Sequence, residues 1–152
     1  MADYNVKLSQ FHQRVWQDEL EAPGTIDENG WIQFGPTSLG ELTIYLRETS
    51  PEQFEFSVRF FSDQTRSHED ILRICNAVND YEDAKLSMSS AGEFCFVKAS
   101  ILLILAEHRR IPDEELLRAV IGPAISMIKA AEDMFTSELQ KLDSEAGGTG
   151  SN

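Results

Sequence analysis

The 152-residue sequence lacks an apolar run long enough to form a membrane-spanning helix. Its first ten residues are polar, without the charged start and apolar middle of a signal peptide. Cysteine is scarce, and the two residues present do not form a CxxC pair. Two such thiols fit a compartment in which cysteine stays reduced. We therefore expect a cytoplasmic protein that does not associate with a membrane.

Basic residues are also few, with 13 Lys and Arg against 26 Asp and Glu, so the formal net charge is -13. Only Arg109 and Arg110 are adjacent among the cations. Binding to nucleic acid depends on clustered cations that displace counterions from the phosphate backbone. The same argument applies to an anionic membrane surface. The charge distribution therefore predicts that neither nucleic acid nor a membrane is a partner.

Sequence motifs for catalysis are missing. There is no GxSxG, no GxGxxG before a helix and no phosphate-binding loop. His12, His68 and His108 have no partner at a metal-ligand spacing, so we expect surface histidines. Cys75 and Cys95 lie on the apolar faces of predicted elements, which favours core packing over redox chemistry. We predict no catalytic residue, no metal ligand and no cofactor.

The hydrophobic pattern predicts an α+β fold. Hydrophobic residues make up 41% of the chain and include nine Phe, enough for a sizeable core. Apolar residues recur at helical spacing in three segments and alternate with polar residues in five. We predict a mainly antiparallel five-stranded sheet with helices packed on it, in the order α-β-β-β-α-β-β-α. The predicted helices cover residues 4–20, 67–79 and 112–142, and the strands lie near 31–34, 42–46, 54–60, 85–89 and 94–103.

Two features bear on the boundaries of this domain. Gly122 and Pro123 interrupt the pattern of the last helix, and proline cannot donate to the helix ladder, so we expect a kink or a split into two helices there. The residues after Leu142 are almost without apolar side chains. We therefore predict a single domain over residues 1–142 and a disordered tail over 143–152.

Asn76 and Asn79 are spaced to share one face of the last turn of the second helix. Asparagine competes for backbone hydrogen bonds and is favoured at helix ends. We interpret both residues as structural, tying the helix to the strand that follows it. Two aromatic residues fall off the predicted core pattern: Trp16 lies beside the main stripe of the first helix, and Phe61 lies in the polar register of its strand.

A helix ending in "NAVN", the strand "AKLSMSS", a tight turn and the strand "EFCFVKASILL", followed by a long helix with an acidic start, resemble the YbjN domain. That family is described as bacterial sensory transduction regulators, and its fold is similar to that of type III secretion chaperones. The resemblance covers residues 4–140 in architecture and 71–135 in motifs. Asn76 and Asn79 match the family's asparagines. Gly122 and Pro123 depart from its pattern.

The resemblance implies a non-enzymatic, cytoplasmic homodimer that binds another protein as a chaperone-like or regulatory adaptor. A secretion role is not implied, because nothing in the chain indicates an effector. Trp16 and Phe61 are candidate partner-binding residues, and partial burial under a loop is the alternative for both. Two other functions stay open: an enzyme or small-ligand-binding protein of unrecognised type, and a structural subunit with a permanent partner.

Overall fold

The computed structural model describes residues 5–47, 49–105 and 113–150, with the side chains up to 145. Two predicted helix starts lie outside these residues, at Tyr4 and Pro112. Three further residues also lie outside them: His108, Arg109 and Arg110. Three helices and six strands form within the described ranges. In chain order they are α1 (Val6–Leu20), β1 (Gly24–Ile26), β2 (Ile32–Thr37), β3 (Gly40–Leu46), β4 (Gln53–Asp63), α2 (His68–Asn79), β5 (Lys85–Ala91), β6 (Phe94–Ile104) and α3 (Glu114–Gly150).

The strands form one antiparallel sheet in the order β1-β2-β3-β4-β6-β5, which confirms the α+β class. The sheet has six strands rather than the predicted five, because β1 pairs with β2 through Gly24, Thr25 and Ile26. Three residues are too few for an alternating pattern to be recognised. Backbone pairing with β2, and not a sequence signal of its own, makes this segment a strand.

One face of the sheet is covered by the helices and forms the core. Trp16 of α1 packs on Phe54 and Phe56 of β4, and Phe135 of α3 packs on Phe61 at the end of that strand. Most of the alternating residues predicted for this face are buried on β3, β4 and β6, whereas Phe60 and Leu103 at the strand ends are half-buried. The buried strand residues on it are Ile32, Phe34, Leu42, Ile44, Leu46, Phe54, Phe56, Val58, Leu86, Cys95, Val97, Ala99 and Ile101.

The second helix begins where the sequence predicts, since Ser67 Oγ accepts a hydrogen bond from the Asp70 amide at 3.1 Å. Its buried stripe differs by one residue. The apolar spacing of the helix predicts a core stripe of Ile71, Leu72, Cys75 and Val78, but Leu72 is 45% exposed and Ile74 is buried instead. The buried face of α2 is therefore rotated slightly from the face that the sequence pattern predicts, because the helix packs against both β5 and α3.

The last helix is continuous through Pro123, so the predicted split into two helices does not occur. Proline removes one backbone donor, but Ile121 and Ala124 on either side of it are buried in the core, and this packing stabilises the helix across the missing bond. The helix also continues past Leu142, where a disordered tail was predicted, to Gly150. Arg66 fixes this extension by donating to both carboxylate oxygens of Asp143, at 3.2 and 2.7 Å.

Candidate functional site

The second face of the sheet carries no helix within the described residues, and we call it the open face. Strand register places its residues in rows that cross the sheet, one of which joins Gln33, Thr43, Ser57 and Ser100. The side chains of these residues alternate with those of the core. The principal members of the open face are Gln33, Thr43, Tyr45, Ser57, Arg59, Phe94, Phe96, Lys98, Ser100, Leu102 and Ile104.

The row across the middle of the open face is polar and internally hydrogen-bonded. Thr43 Oγ1 donates to Gln33 Oε1 at 2.7 Å, and Ser100 Oγ donates to Ser57 Oγ at 3.2 Å. Ser57 is buried although no helix covers it, because the longer side chains beside it close over it. Cross-strand pairs of this kind stabilise the register of a sheet. They also make the centre of the open face polar, with hydroxyl groups on its surface.

Two cations stand directly opposite each other next to this row. Arg59 and Lys98 are Cα partners on β4 and β6. The Arg59 guanidinium pairs with Glu41 and lies 5.0 Å from the centre of the Phe96 ring. Lys98 Nζ lies 5.5 Å from the centre of the Tyr45 ring, and no carboxylate among the described residues pairs with it. Two opposed cations repel each other, so the rings and Glu41 are what hold them in place.

Apolar side chains flank the cations at both ends of β6. At one end Phe94 and Phe96 stack with ring centres 6.1 Å apart, and Phe94 is 47% exposed. At the other end Leu102 and Ile104 are 59% and 69% exposed. A single strand thus presents an apolar end, a cation and a second apolar end along one face. Lys98 and Ser100 separate the two apolar pairs, and Glu55 stands opposite Leu102, so each pair is a small apolar area beside charged residues. Apolar areas rimmed by charge are candidates for an interaction surface.

The open face is concave. A groove of about 650 Å³ runs across it, between the polar row and the two cations. Tyr45 lines this groove on the β3 side, and its ring packs edge-on against that of Trp31 with ring centres 4.8 Å apart. The groove is open to solvent, which suits a macromolecular segment better than an enclosed small molecule.

Trp16 is fully buried and is not available on the surface. Its ring centre lies 5.9 Å from that of Phe54 and 4.9 Å from that of Phe56. The expectation that it lies off the core-facing stripe of α1 is wrong. The buried stripe of that helix includes Leu8, His12, Val15 and Trp16, because the helix turns its largest residue towards the sheet.

Phe61 is half-buried beneath α3 rather than displayed in the polar register of β4. A register shift between Arg59 and Phe61 moves Phe61 opposite Val97, on the helix-covered face. Its ring centre lies 4.9 Å from that of Phe135. The bulge therefore reverses the alternation that the sequence predicted, since one extra residue exchanges the two faces of a strand.

Asn79 joins α2 to β5 through both ends of its side-chain amide. Its Oδ1 accepts from the Leu86 amide at 2.6 Å, and its Nδ2 donates to the Leu86 carbonyl at 2.9 Å. Asn76 is exposed and takes no part in this bridge. The structure thus places the two asparagines in different surroundings, and only Asn79 reaches the strand.

His12 is buried, contrary to the expectation of a surface histidine, and burial lowers its pKa to about 3. His68 Nε2 lies 3.3 Å from the carbonyl oxygen of Glu93. Cys75 and Cys95 are both buried free thiols, as predicted. Burial, assisted by Cys95, raises the pKa of Cys75 to about 11, which makes its reactive thiolate scarce.

Over residues 5–47, 49–105 and 113–150, no group of three or more His, Cys, Asp or Glu side chains could hold a metal ion. Within the same ranges, none of the helices combines the length and apolar character that crossing a membrane requires.

Comparison with solved structures identifies one close match in architecture. The crystal structure of YbjN from E. coli, provisionally described as a transcription regulator, superposes with a TM-score of 0.57 at 12% sequence identity. The superposition covers 84% of this chain and 89% of YbjN. The fold is YbjN-like. No protein-family model and no curated protein matches the sequence.

Reasoning from the sequence missed the open face as a candidate site, although its signal was present. The side chains of β6 that alternate with the predicted core residues include Phe94, Lys98, Leu102 and Ile104. Their apolar character on a nominally solvent-exposed face was the available clue. The pairing of Arg59 with Lys98 could not be read from either strand alone, because it depends on which residues of β4 and β6 stand opposite each other in the sheet.

Proposed function

We propose that the chain is a non-enzymatic protein-binding module that acts in the cytoplasm as a homodimeric, chaperone-like or regulatory adaptor. The observation that carries the proposal is the open face, whose exposed Leu102 and Ile104 lie on a sheet that no helix of the described residues covers on that side. Burying such residues against a partner is favourable by about 25 cal/mol per Å² of apolar surface. A YbjN-like fold supports a regulator or adaptor as the general class of function.

The charge and the cysteines support the remaining parts of this proposal. A net charge of -13 disfavours nucleic acid and anionic lipid as the partner, which leaves another protein. Two buried free thiols suit a reducing compartment. For the homodimer, β5 is the last strand on its side of the sheet, and its outer edge beyond Leu86, whose peptide groups are already bonded to Asn79, is the candidate for pairing with a second copy.

Light scattering on the purified protein, together with affinity capture from native cell lysate, tests the proposal. We expect the mass of a dimer and one partner protein that is recovered reproducibly. The matched bait is the same chain carrying Leu102→Asp, which places a charge in the apolar surface and should lose that partner. A monomer would contradict the homodimer, and a partner absent from every capture would contradict the adaptor function.

A further inference from the structure

The side chains that β6 presents on the open face change in character in a defined order along the strand. From Phe94 to Ile104 the strand rises by about 33 Å, at about 3.3 Å per residue. Along that length the open face passes from the Phe94 and Phe96 rings, through Lys98 and the Ser100 hydroxyl, to two exposed aliphatic side chains. A ligand that covers this strip must be apolar at both ends and must match a cation in the middle.

The charge of the matching group follows from the surroundings of Lys98. Arg59, its cross-strand neighbour, is already paired with Glu41, whereas no described carboxylate pairs with Lys98. The rest of the chain is strongly acidic, with a net charge of -13, so an acidic partner would be repelled from most of its surface. At the open face, a carboxylate instead meets the ammonium group of Lys98, with which no carboxylate of the described residues pairs. The complementary group is therefore an Asp or Glu side chain.

The backbone of the ligand is constrained by the backbone of the sheet. In the middle of the open face, the peptide groups of β4 and β6 are paired within the ladder and offer nothing to a ligand. An extended chain lying there would leave its own buried peptide groups without partners, which costs free energy. A helix satisfies its peptide groups internally. The face of a sheet accordingly favours a helix, whereas an extended chain would favour an edge strand.

We propose that the open face binds an amphipathic α-helix of the partner protein, with an Asp or Glu among its apolar residues that pairs with Lys98. Apolar residues on either side of this carboxylate contact Phe96 and Leu102. These two residues are about 20 Å apart along β6, which a helix of about 13 residues spans. The inference rests on the proposed function and adds to it the class of ligand and the surface that binds it.

A displayed library of helix-forming peptides of about 16 residues tests this chemistry, with apolar, acidic and basic residues randomised. Selection against the intact protein should enrich apolar residues at helical spacing with an Asp or Glu between them. The tightest selected peptide should bind the Lys98→Glu variant about tenfold or more weakly than the original protein. Lys7→Glu, which makes the same change on the exposed side of α1, should leave the affinity unchanged.

The apolar part is tested by Leu102→Ser, with Leu72→Ser on α2 as the control at a similar exposure. We expect only the first to weaken binding of the same peptide. Selection of basic peptides, of extended alternating peptides or of none would overturn the inference. The inference would also be overturned if Lys7→Glu weakened peptide binding as much as Lys98→Glu. The same holds if Leu72→Ser weakened it as much as Leu102→Ser.

The two proposals fail in distinguishable ways. If the adaptor function holds and this inference is wrong, the partner captured from lysate will still be lost with Leu102→Asp but will bind Lys98→Glu at full strength. If the adaptor function itself is wrong, neither the lysate nor the peptide library will yield a binder.

Discussion

Trp16 Nε1 donates a hydrogen bond to His12 Nδ1 across 3.3 Å, within the buried layer between α1 and the sheet. His12 therefore accepts on Nδ1 and carries its proton on Nε2, for which the described residues provide no partner. A charged imidazolium could not accept that bond and would be unsolvated. This is the physical reason why the pKa of His12 is lowered to about 3.

His12 should make the protein less stable as the pH falls. Its pKa is about 3 in the folded state against 6.5 in the unfolded state, so below 6.5 the unfolded chain takes up a proton that the folded protein refuses. The resulting loss approaches about 1.4 kcal/mol per pH unit and continues until the folded pKa is reached. Urea unfolding at pH 7, 6 and 5 should show it, and His12→Gln, which keeps an acceptor for Trp16, should have a shallower slope. Equal slopes for the two proteins would refute the assignment.

Glu132 should act in the opposite direction. Burial, reinforced by the charge of Asp133 and opposed by Lys129, raises its pKa to about 7, and its Oε1 is buried without a partner among the described residues. The stability it contributes is present below about pH 4.5 and is lost as the pH rises through 7. Glu132→Gln should therefore raise the free energy of unfolding by about 1 kcal/mol at pH 8 and by less at pH 5. Glu115→Gln, an exposed change on the same helix, is the control. A gain that did not vary with pH would contradict this prediction.

Replacing Asn79 with Ala removes both hydrogen bonds to the backbone of Leu86. These bonds are partly buried, so we expect the free energy of unfolding to fall by about 2 kcal/mol. Asn76→Ala, three residues earlier on the exposed side of the same helix, should change it by less than about 0.5 kcal/mol. Chemical denaturation of the two variants side by side gives the comparison. Similar losses would mean that the bridge from α2 to β5 contributes little.

Gly40 cannot accept a side chain at its place in the sheet. Its φ is +128°, and a Cβ atom there would lie 2.4 Å from the carbonyl oxygen of Arg59. Gly40→Ala should therefore cost about 2 kcal/mol or more, measured by thermal or urea unfolding. Gly35→Ala is the matched control, since Gly35 has no such φ and a Cβ atom there meets nothing within 4 Å. Equal stability of the two variants would count against the close approach of β3 to β4.

Much of the fold could be predicted because its signals are local. Ser67 initiates α2 through its own hydroxyl, and the alternation from Leu42 to Leu46 identifies β3 without reference to any neighbour. β1 was missed because three residues become a strand only by pairing with β2. The continuous helix through Pro123 was missed for a related reason, since burial of Ile121 and Ala124 outweighs the lost backbone bond.

The candidate site was less accessible to prediction. The alternation of its strand predicts that Phe61 lies on the polar face. A bulge after Arg59 turns it to the helix-covered face instead. Trp16 was one position away from the predicted stripe of α1, and the packing of the helix on Phe56 decides its burial. Neither residue is part of the open face, so the proposed binding surface consists of different residues from those first considered.

The sequence by itself determined the α+β class, the start of α2 and the acidic character of the protein, because periodicity, capping and charge can be read without tertiary contacts. Only the tertiary structure decided which face of the sheet stays uncovered and which side chains meet on it. Arg59 and Lys98 are distant in sequence and become neighbours through the pairing of β4 with β6. That pairing is a long-range contact, and short-range sequence patterns do not specify which residues of two distant strands stand opposite each other.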